Sequence, residues 1–142
     1  MCVGLCCVAP AFARSADFAI DKPAGRPCPN LLPDFRCGIH ASMREAGFPG
    51  CVAYDCYGAG QRVSREIFAG ADWRADAAVA PAMFATFSVV RLLHELLWYL
   101  DEALELPAAL PLHRQLRAAC DETDALAGRG VGARGGRAFT RR

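Results

Sequence analysis

The clearest pattern in the chain runs from 81 to 106, a stretch bounded by Pro81 and Pro107. Placed at about 100° per residue, Arg91, Glu95, Glu102 and Glu105 share one narrow face, and Arg91 and Glu95 form an i,i+4 pair. Val89, Leu92, Leu93, Leu96, Leu100, Ala103 and Leu104 spread over the opposite side. So wide an apolar face predicts a largely buried helix. A second helix is predicted from Leu110 to Ala127, with Leu112, Leu116, Ala119, Cys120, Thr123 and Leu126 on one stripe. Gly128 stands where a C-terminal cap belongs. The two helices are expected to pack as an antiparallel hairpin, the hydrophobic half of the domain.

Residues 1–60 read differently. Large apolar residues are sparse there, while six of the nine Pro, seven of the 13 Gly and seven of the eight Cys fall in this stretch. Such a segment loses chain entropy on ordering and has little apolar area to offset the loss. It needs staples, disulfides or metal. One short helix is predicted over Ile39–Ala46, stopped by Gly47 with Pro49 beyond it. The expected fold is therefore mainly α: an irregular, metal-stapled, Cys-rich lobe (1–60) packed on an α-helical hairpin (81–127). Together these form a single domain, 1–127. The last 15 residues, GRGVGARGGRAFTRR, are Gly/Arg-rich and predicted disordered.

Composition narrows the function. At 142 residues and 54% apolar, the chain is long enough for one modest core. The net charge of +1 divides into −4 over residues 1–127 and +5 over the tail. A globally basic nucleic-acid binder is not indicated. The longest uncharged stretch, Ala77–Val90, has 14 residues, short of the roughly 20 that a membrane span needs. The first 13 residues have no Lys or Arg before an apolar run and hold three Cys, so they do not read as a secretory signal. A cytoplasmic, reducing location is expected.

The cysteines carry the candidate chemistry. Cys2, Cys6, Cys7, Cys28, Cys37, Cys51 and Cys56 fall in the first 56 residues. Thiolate is a soft ligand suited to zinc, iron–sulfur clusters and copper(I). Four thiolates close a tetrahedral zinc site or hold an iron–sulfur cluster. Cys2, Cys6 and Cys7, close-set around Gly4, suggest a knuckle that presents two or three sulfurs to one metal, and the later cysteines return sulfur from Pro/Gly-rich loops. A disulfide framework and unconnected buried thiols are the competing readings. Seven is an odd number, and adjacent Cys6 and Cys7 do not readily bridge each other.

The order of the motifs adds a resemblance. Cys-x-Gly-x-Cys-Cys at 2–7, then Cys28, Cys37-Gly-Ile-His40 and Pro49-x-Cys51-x4-Cys56, resembles a bacterial cysteine-cluster family regarded as zinc- or iron-chelating. That family opens with Cys-x2-Cys-x3-Cys-Cys, of which Cys2, Cys6 and Cys7 match the last three. His40 stands where the family has Tyr, and Phe48-Pro49 where it has Arg-Pro. The resemblance covers residues 1–60 and implies zinc or iron held by the seven cysteines, with His40 as a further candidate ligand. A narrower likeness is carried by SADFAIDKPAGRPCPNL, FRCGIH, GFPGC and YDCYGAGQRVS. These look like the region preceding the repeats of actinobacterial pentapeptide-repeat proteins. Only stray repeat-like pentads, Ala16–Ile20 and Ala71–Ala75, occur, too few for a solenoid. This likeness implies an interaction module, with the hairpin docking an unknown protein partner.

Other candidates are weaker. Cys120 reads as a packing residue on its helix stripe. His94-Glu95-x-x-Trp98 has Trp where a zincin needs its second His. Asp17 and Asp21, four apart, read as solvated or capping groups before carboxylate ligands. Gly58-Ala59-Gly60 lacks phosphate-loop spacing. No catalytic constellation stands out.

Overall fold

The structure is a computed structural model, described here over residues 2–129, and it is mainly helical. Five α-helical elements follow in chain order: α1 (Leu5–Val8), α2 (Pro49–Ala53), α3 (Ala59–Gln61), α4 (Val79–Leu104) and α5 (His113–Ala127). Short 3-10 turns occupy His40–Ser42 and Pro107–Leu112, and a wider π turn, Arg62–Ile67, extends α3. Among the described residues there is no strand, only two isolated antiparallel bridges, Phe12 with Lys22 and Leu31 with Cys37.

The long helix α4 begins two residues before Pro81. A proline in the first turn replaces an N–H that has no intrahelical partner anyway, so Pro81 does not bar the earlier start. Pro111 acts differently. It lies within the 3-10 turn Pro107–Leu112, and the α-helical bonding of α5 starts only at His113. The predicted stop of α5 is found at Gly128, which ends the helix at φ −75° without a left-handed turn. α4 and α5 pack against each other as the expected hairpin. The helix predicted over Ile39–Ala46 is shorter than expected. It is a 3-10 turn followed by further turns, closed by the Phe48 N–H bonding the Met43 carbonyl at 2.7 Å, with Gly47 at φ +82°.

One core joins the two halves. Leu5, Val8 and Ala9 from around α1 meet Met83, Phe87 and Val90 of α4, with Ala59, Val63, Trp73 and Ala127 completing the cluster. Trp73 also donates its ring N–H to the Val3 carbonyl at 2.8 Å. Residues 61–80, unassigned in the sequence pattern, thus supply both core and bracing.

The exposure of α4 corrects the sequence expectation. Its buried residues are Met83, Thr86, Phe87 and Val90, whereas Val89, Leu92, Leu96 and Tyr99 are exposed, Leu92 by 60%. The charged pair on the narrow face opposite is half-buried. Arg91 bonds Glu95 at 3.1 Å, donates to the Asp55 carbonyl, and lies over the Tyr54 and Tyr57 rings. The Cys-rich segment offers these aromatic and carbonyl groups to Arg91, so the helix turns its charged flank toward the lobe. A similar shift affects α5, where Leu112 and Leu126 are exposed and the inward stripe includes His113, Leu116, Cys120, Thr123 and Ala127. By length and composition alone α4 is also apolar enough to cross a bilayer. Its residues in the shared core, with Arg91, His94 and Glu95 near its middle, favour a domain helix. Of the tail predicted to be disordered, residues 130–142 lie outside the described residues.

Candidate metal centre

Cys6 and Cys7 stand on a helical turn, not on the open knuckle expected from Gly4. Gly4 is the residue before α1 and adopts φ +69°, where a side chain is strained; a Cβ there would also come 2.8 Å from a Leu31 methyl. The turn it permits buries Leu5 and Val8 completely in the core. Cys6 and Cys7, between those two anchors, border a cavity on the other side.

Backbone bonds bring the remaining cysteines to the same place. The Cys28 N–H donates to the Cys7 carbonyl at 2.9 Å, and the Leu31 N–H to the Cys28 carbonyl at 3.0 Å. The Leu31–Cys37 bridge then folds Cys37 back beside that turn. Cys51 lies on α2, where Gly50 lets the backbone approach the Phe18 ring: a Cβ at Gly50 would meet it at 2.6 Å. Cys56 lies just before α3 and accepts the Ala59 N–H at 2.8 Å through its carbonyl.

The result is a cavity of about 410 Å³ whose wall includes Cys6, Cys7, Cys28, Cys37, Cys51 and Cys56. All six thiols are free, as are those of Cys2 and Cys120. The rest of the wall is largely apolar. Phe12 stacks on Phe18 at 4.4 Å between ring centroids, and Phe48 meets Phe12 edge-on at 6.4 Å. Behind it lies Lys22, the chain's one lysine and only 4% exposed. Its ammonium donates to the carbonyls of Val8, Pro23 and Arg26 at 3.1, 3.2 and 2.9 Å and sits 5.3 Å from the Phe12 ring centroid. Burial disfavours its charge, while the charges of Cys28 and Cys7 support it.

The thiols ionise unequally. The Cys6 and Cys7 sulfurs are 3.9 Å apart. Hydrogen bonding from Cys7 lowers Cys6 to about 7, and the same bond, with burial and the charges of Cys6, Cys37 and Cys28, holds Cys7 protonated far above the ordinary thiol range. Burial raises Cys51, with Cys28, Cys37 and Cys6 adding to the rise. Burial also pushes the Tyr54 phenol up to about 12, against the opposing charge of Arg91.

The candidates taken from the sequence separate accordingly. Six of the seven N-terminal cysteines share the cavity, and His40 lies on its wall as an exposed residue. Cys2 packs against the core instead, close enough to Gly60 that a Cβ there would come 2.6 Å from its sulfur. Burial raises its pKa, and the charges of Cys6 and Cys56 add to the rise. Asp17 and Asp21 do not line the cavity; Asp21 accepts the Arg14 N–H at 2.8 Å. Cys120 faces Asp101 of α4 at 3.9 Å, on the packing side as expected. His94 lies 2.7 Å from the Tyr57 carbonyl through Nδ1, which is therefore the protonated nitrogen. Met43, Asp55 and Lys22 were not singled out from the sequence. A solitary lysine in an Arg-rich chain was the one signal available for Lys22.

Among the described residues, no three His, Cys, Asp or Glu side chains stand close enough to hold one ion in common. The thiols border the cavity without meeting at a point.

The chain is 50% identical over 125 residues, 88% of its length, to a Bacillus subtilis (strain 168) protein named Uncharacterized protein YybG. The match spans 45% of that protein, so the chain covers less than half of its relative's length. No protein-family model matches the chain, and no solved structure matches it.

Proposed function

We propose that this is a metal-binding protein whose N-terminal cysteines chelate zinc or iron as thiolates. The observation that supports this reading is the convergence of six thiols, from four separate stretches of residues 6–56, on one cavity. The donor set suits the group: sulfur is the preferred soft ligand for zinc and iron–sulfur centres. One pair of sulfurs has the spacing as well. Two sulfurs bound at about 2.3 Å to a tetrahedral ion stand about 3.8 Å apart, and the Cys6 and Cys7 sulfurs are separated by 3.9 Å. Cys28, Cys37, Cys51 and Cys56 complete the ligand set, with His40 at its edge and Cys2 behind it. A bound ion would staple segments that bury little apolar area of their own. Phe12, Phe18 and Phe48 make the wall beside the sulfurs largely apolar. A reducing cytoplasm is the compartment that keeps these thiols available.

Metal analysis of protein purified anaerobically tests the reading. Zinc or iron is expected at one equivalent or more per chain, and it should fall sharply in Cys28→Ala and Cys51→Ala but not in Cys120→Ala. Metal-free protein with all thiols titratable would overturn it.

A second reading, an interaction module with structural zinc, is favoured by the outer face of α4. Ala85, Val89, Leu92, Leu96, Tyr99 and Ala103 follow one another there at spacings of four and three, all exposed but the half-buried Ala103. A continuous apolar stripe directed at solvent is the feature expected of a helix that meets a partner. Sedimentation of the full chain would show self-association abolished by Leu92→Glu; a concentration-independent monomer argues against self-association through this face.

A further inference from the structure

We infer that the cavity is a binding site for an uncharged, planar aromatic molecule of two or three rings. The inference goes beyond the metal reading and does not rest on it. It asks of the thiols only that they line the wall.

Size sets the first limit. A cavity of about 150 Å³ already admits benzene when its wall is apolar, and this one measures about 410 Å³. That volume falls within the range of small-molecule sites, about 300–1,000 Å³.

The wall sets the class. It joins rings to sulfur: Phe12, Phe18 and Phe48 stand with the Met43 thioether and six thiols. Neutral cysteine behaves as a small hydrophobe, and divalent sulfur packs favourably about 5 Å from an aromatic ring, often at its edge. Phe12 and Phe18 lie 13° from parallel, and Phe48 stands at 84° to Phe12. The rings are thus held in fixed orientations, as stacked and edge-on contacts with a flat guest require. The sulfurs are spread around the space, since no three potential ligands among the described residues crowd together. Separated soft atoms suit contact along the outline of a molecule several ångströms wide.

Charge narrows the class further. Among the described residues no Lys or Arg lines the cavity, and its one carboxylate, Asp55, accepts the Tyr57 N–H at 2.7 Å. Lys22, beside Phe12, gives its ammonium to three carbonyls. A charged guest would lose its hydration without gaining a partner, which is costly. An uncharged one loses little and covers apolar wall.

The test uses N-phenyl-1-naphthylamine, an uncharged three-ring probe whose fluorescence rises in apolar surroundings. It is titrated into the reduced full chain, treated with chelator and kept anaerobic. Saturable binding of one probe per chain is expected, and its absence overturns the inference. Cys51→Trp fills the cavity from α2 and should weaken binding by about tenfold or more while keeping the wild-type circular dichroism, because a filled site leaves no room for a guest. Unchanged affinity in that folded variant overturns the inference. Leu92→Glu reports the competing location, the outer face of α4: loss of binding there overturns the cavity as the site. Nuclear Overhauser contacts in the wild-type complex need no variant. They are expected between the probe and the Phe12, Phe18 and Phe48 ring protons, and contacts confined to α4 overturn the inference. Metal content is read separately on the preparation before chelation. Metal without probe binding overturns this inference alone, and probe binding by a chain that held no metal overturns the metal reading alone.

Discussion

Two adjacent sulfurs 3.9 Å apart compete for their protons. Cys6 loses its proton first because Cys7 donates a hydrogen bond to the resulting thiolate, and Cys7 keeps its own for the same reason. The thiolate of Cys6 is therefore present above pH about 7 and is lost as pH falls through that value. In metal-free protein, iodoacetamide should modify Cys6 with a rate midpoint near pH 7. In Cys7→Ala that midpoint should rise toward the ordinary thiol range. Peptide mass spectrometry after short exposures reads both, and an unmoved midpoint in the variant would mean the neighbour is not the cause. Lys22 belongs to the same scale. Three carbonyls hold its ammonium in place behind the cavity, so a long flexible side chain is fixed beside the Phe12 ring of the cavity wall. Its type is legible in the sequence, but its burial is not, because the carbonyls that accept it come from residues 8, 23 and 26 and meet only in the folded chain.

At the scale of elements, hydrophobic periodicity and proline placement found the two long helices but misjudged which face is covered. The pattern of α4 is apolar on more than one side, so the sequence alone leaves its rotation undecided. Arg91 decides it, since Tyr54, Tyr57 and the Asp55 carbonyl provide a place for a guanidinium that solvent-facing leucines do not need. Two residues that look alike in sequence should then differ in consequence. Phe87 is 2% exposed and Leu92 60% exposed. Phe87→Ala is expected to cost about 3–5 kcal/mol, as for large core truncations. Leu92→Ala should stay within about 0.5 kcal/mol, as for surface changes. Urea unfolding of the two variants measures the contrast, and equal losses would place Leu92 in a buried contact. The cysteine site was legible for a different reason. Its cysteines and their Pro/Gly-rich spacing are local features, whereas Phe12, Phe18 and Phe48 look like scattered hydrophobics until the backbone stacks them.

At the scale of the whole molecule, the cysteine lobe and the hairpin share one core. The helical turn that carries Cys6 and Cys7 also carries Leu5 and Val8, and both are fully buried in the cluster that includes Met83, Phe87 and Val90. Composition suggests two lobes, because the apolar residues of 1–60 are few. The structure places Leu5 and Val8 of those few against α4, so a disturbance at the sulfurs reaches the long helix through four residues of chain. If the cysteines hold a metal as proposed, its removal should therefore loosen more than the lobe. Hydrogen exchange before and after chelation is expected to show faster exchange in α1, α2 and the first half of α4, around 83–90. The second half of α4 faces α5, where Cys120 lies 3.9 Å from Asp101. Its amides should keep most of their protection, since local opening follows the contacts each segment retains. If the change stops at residue 60, the shared core does not transmit the loss, and the halves are energetically separate despite their contact.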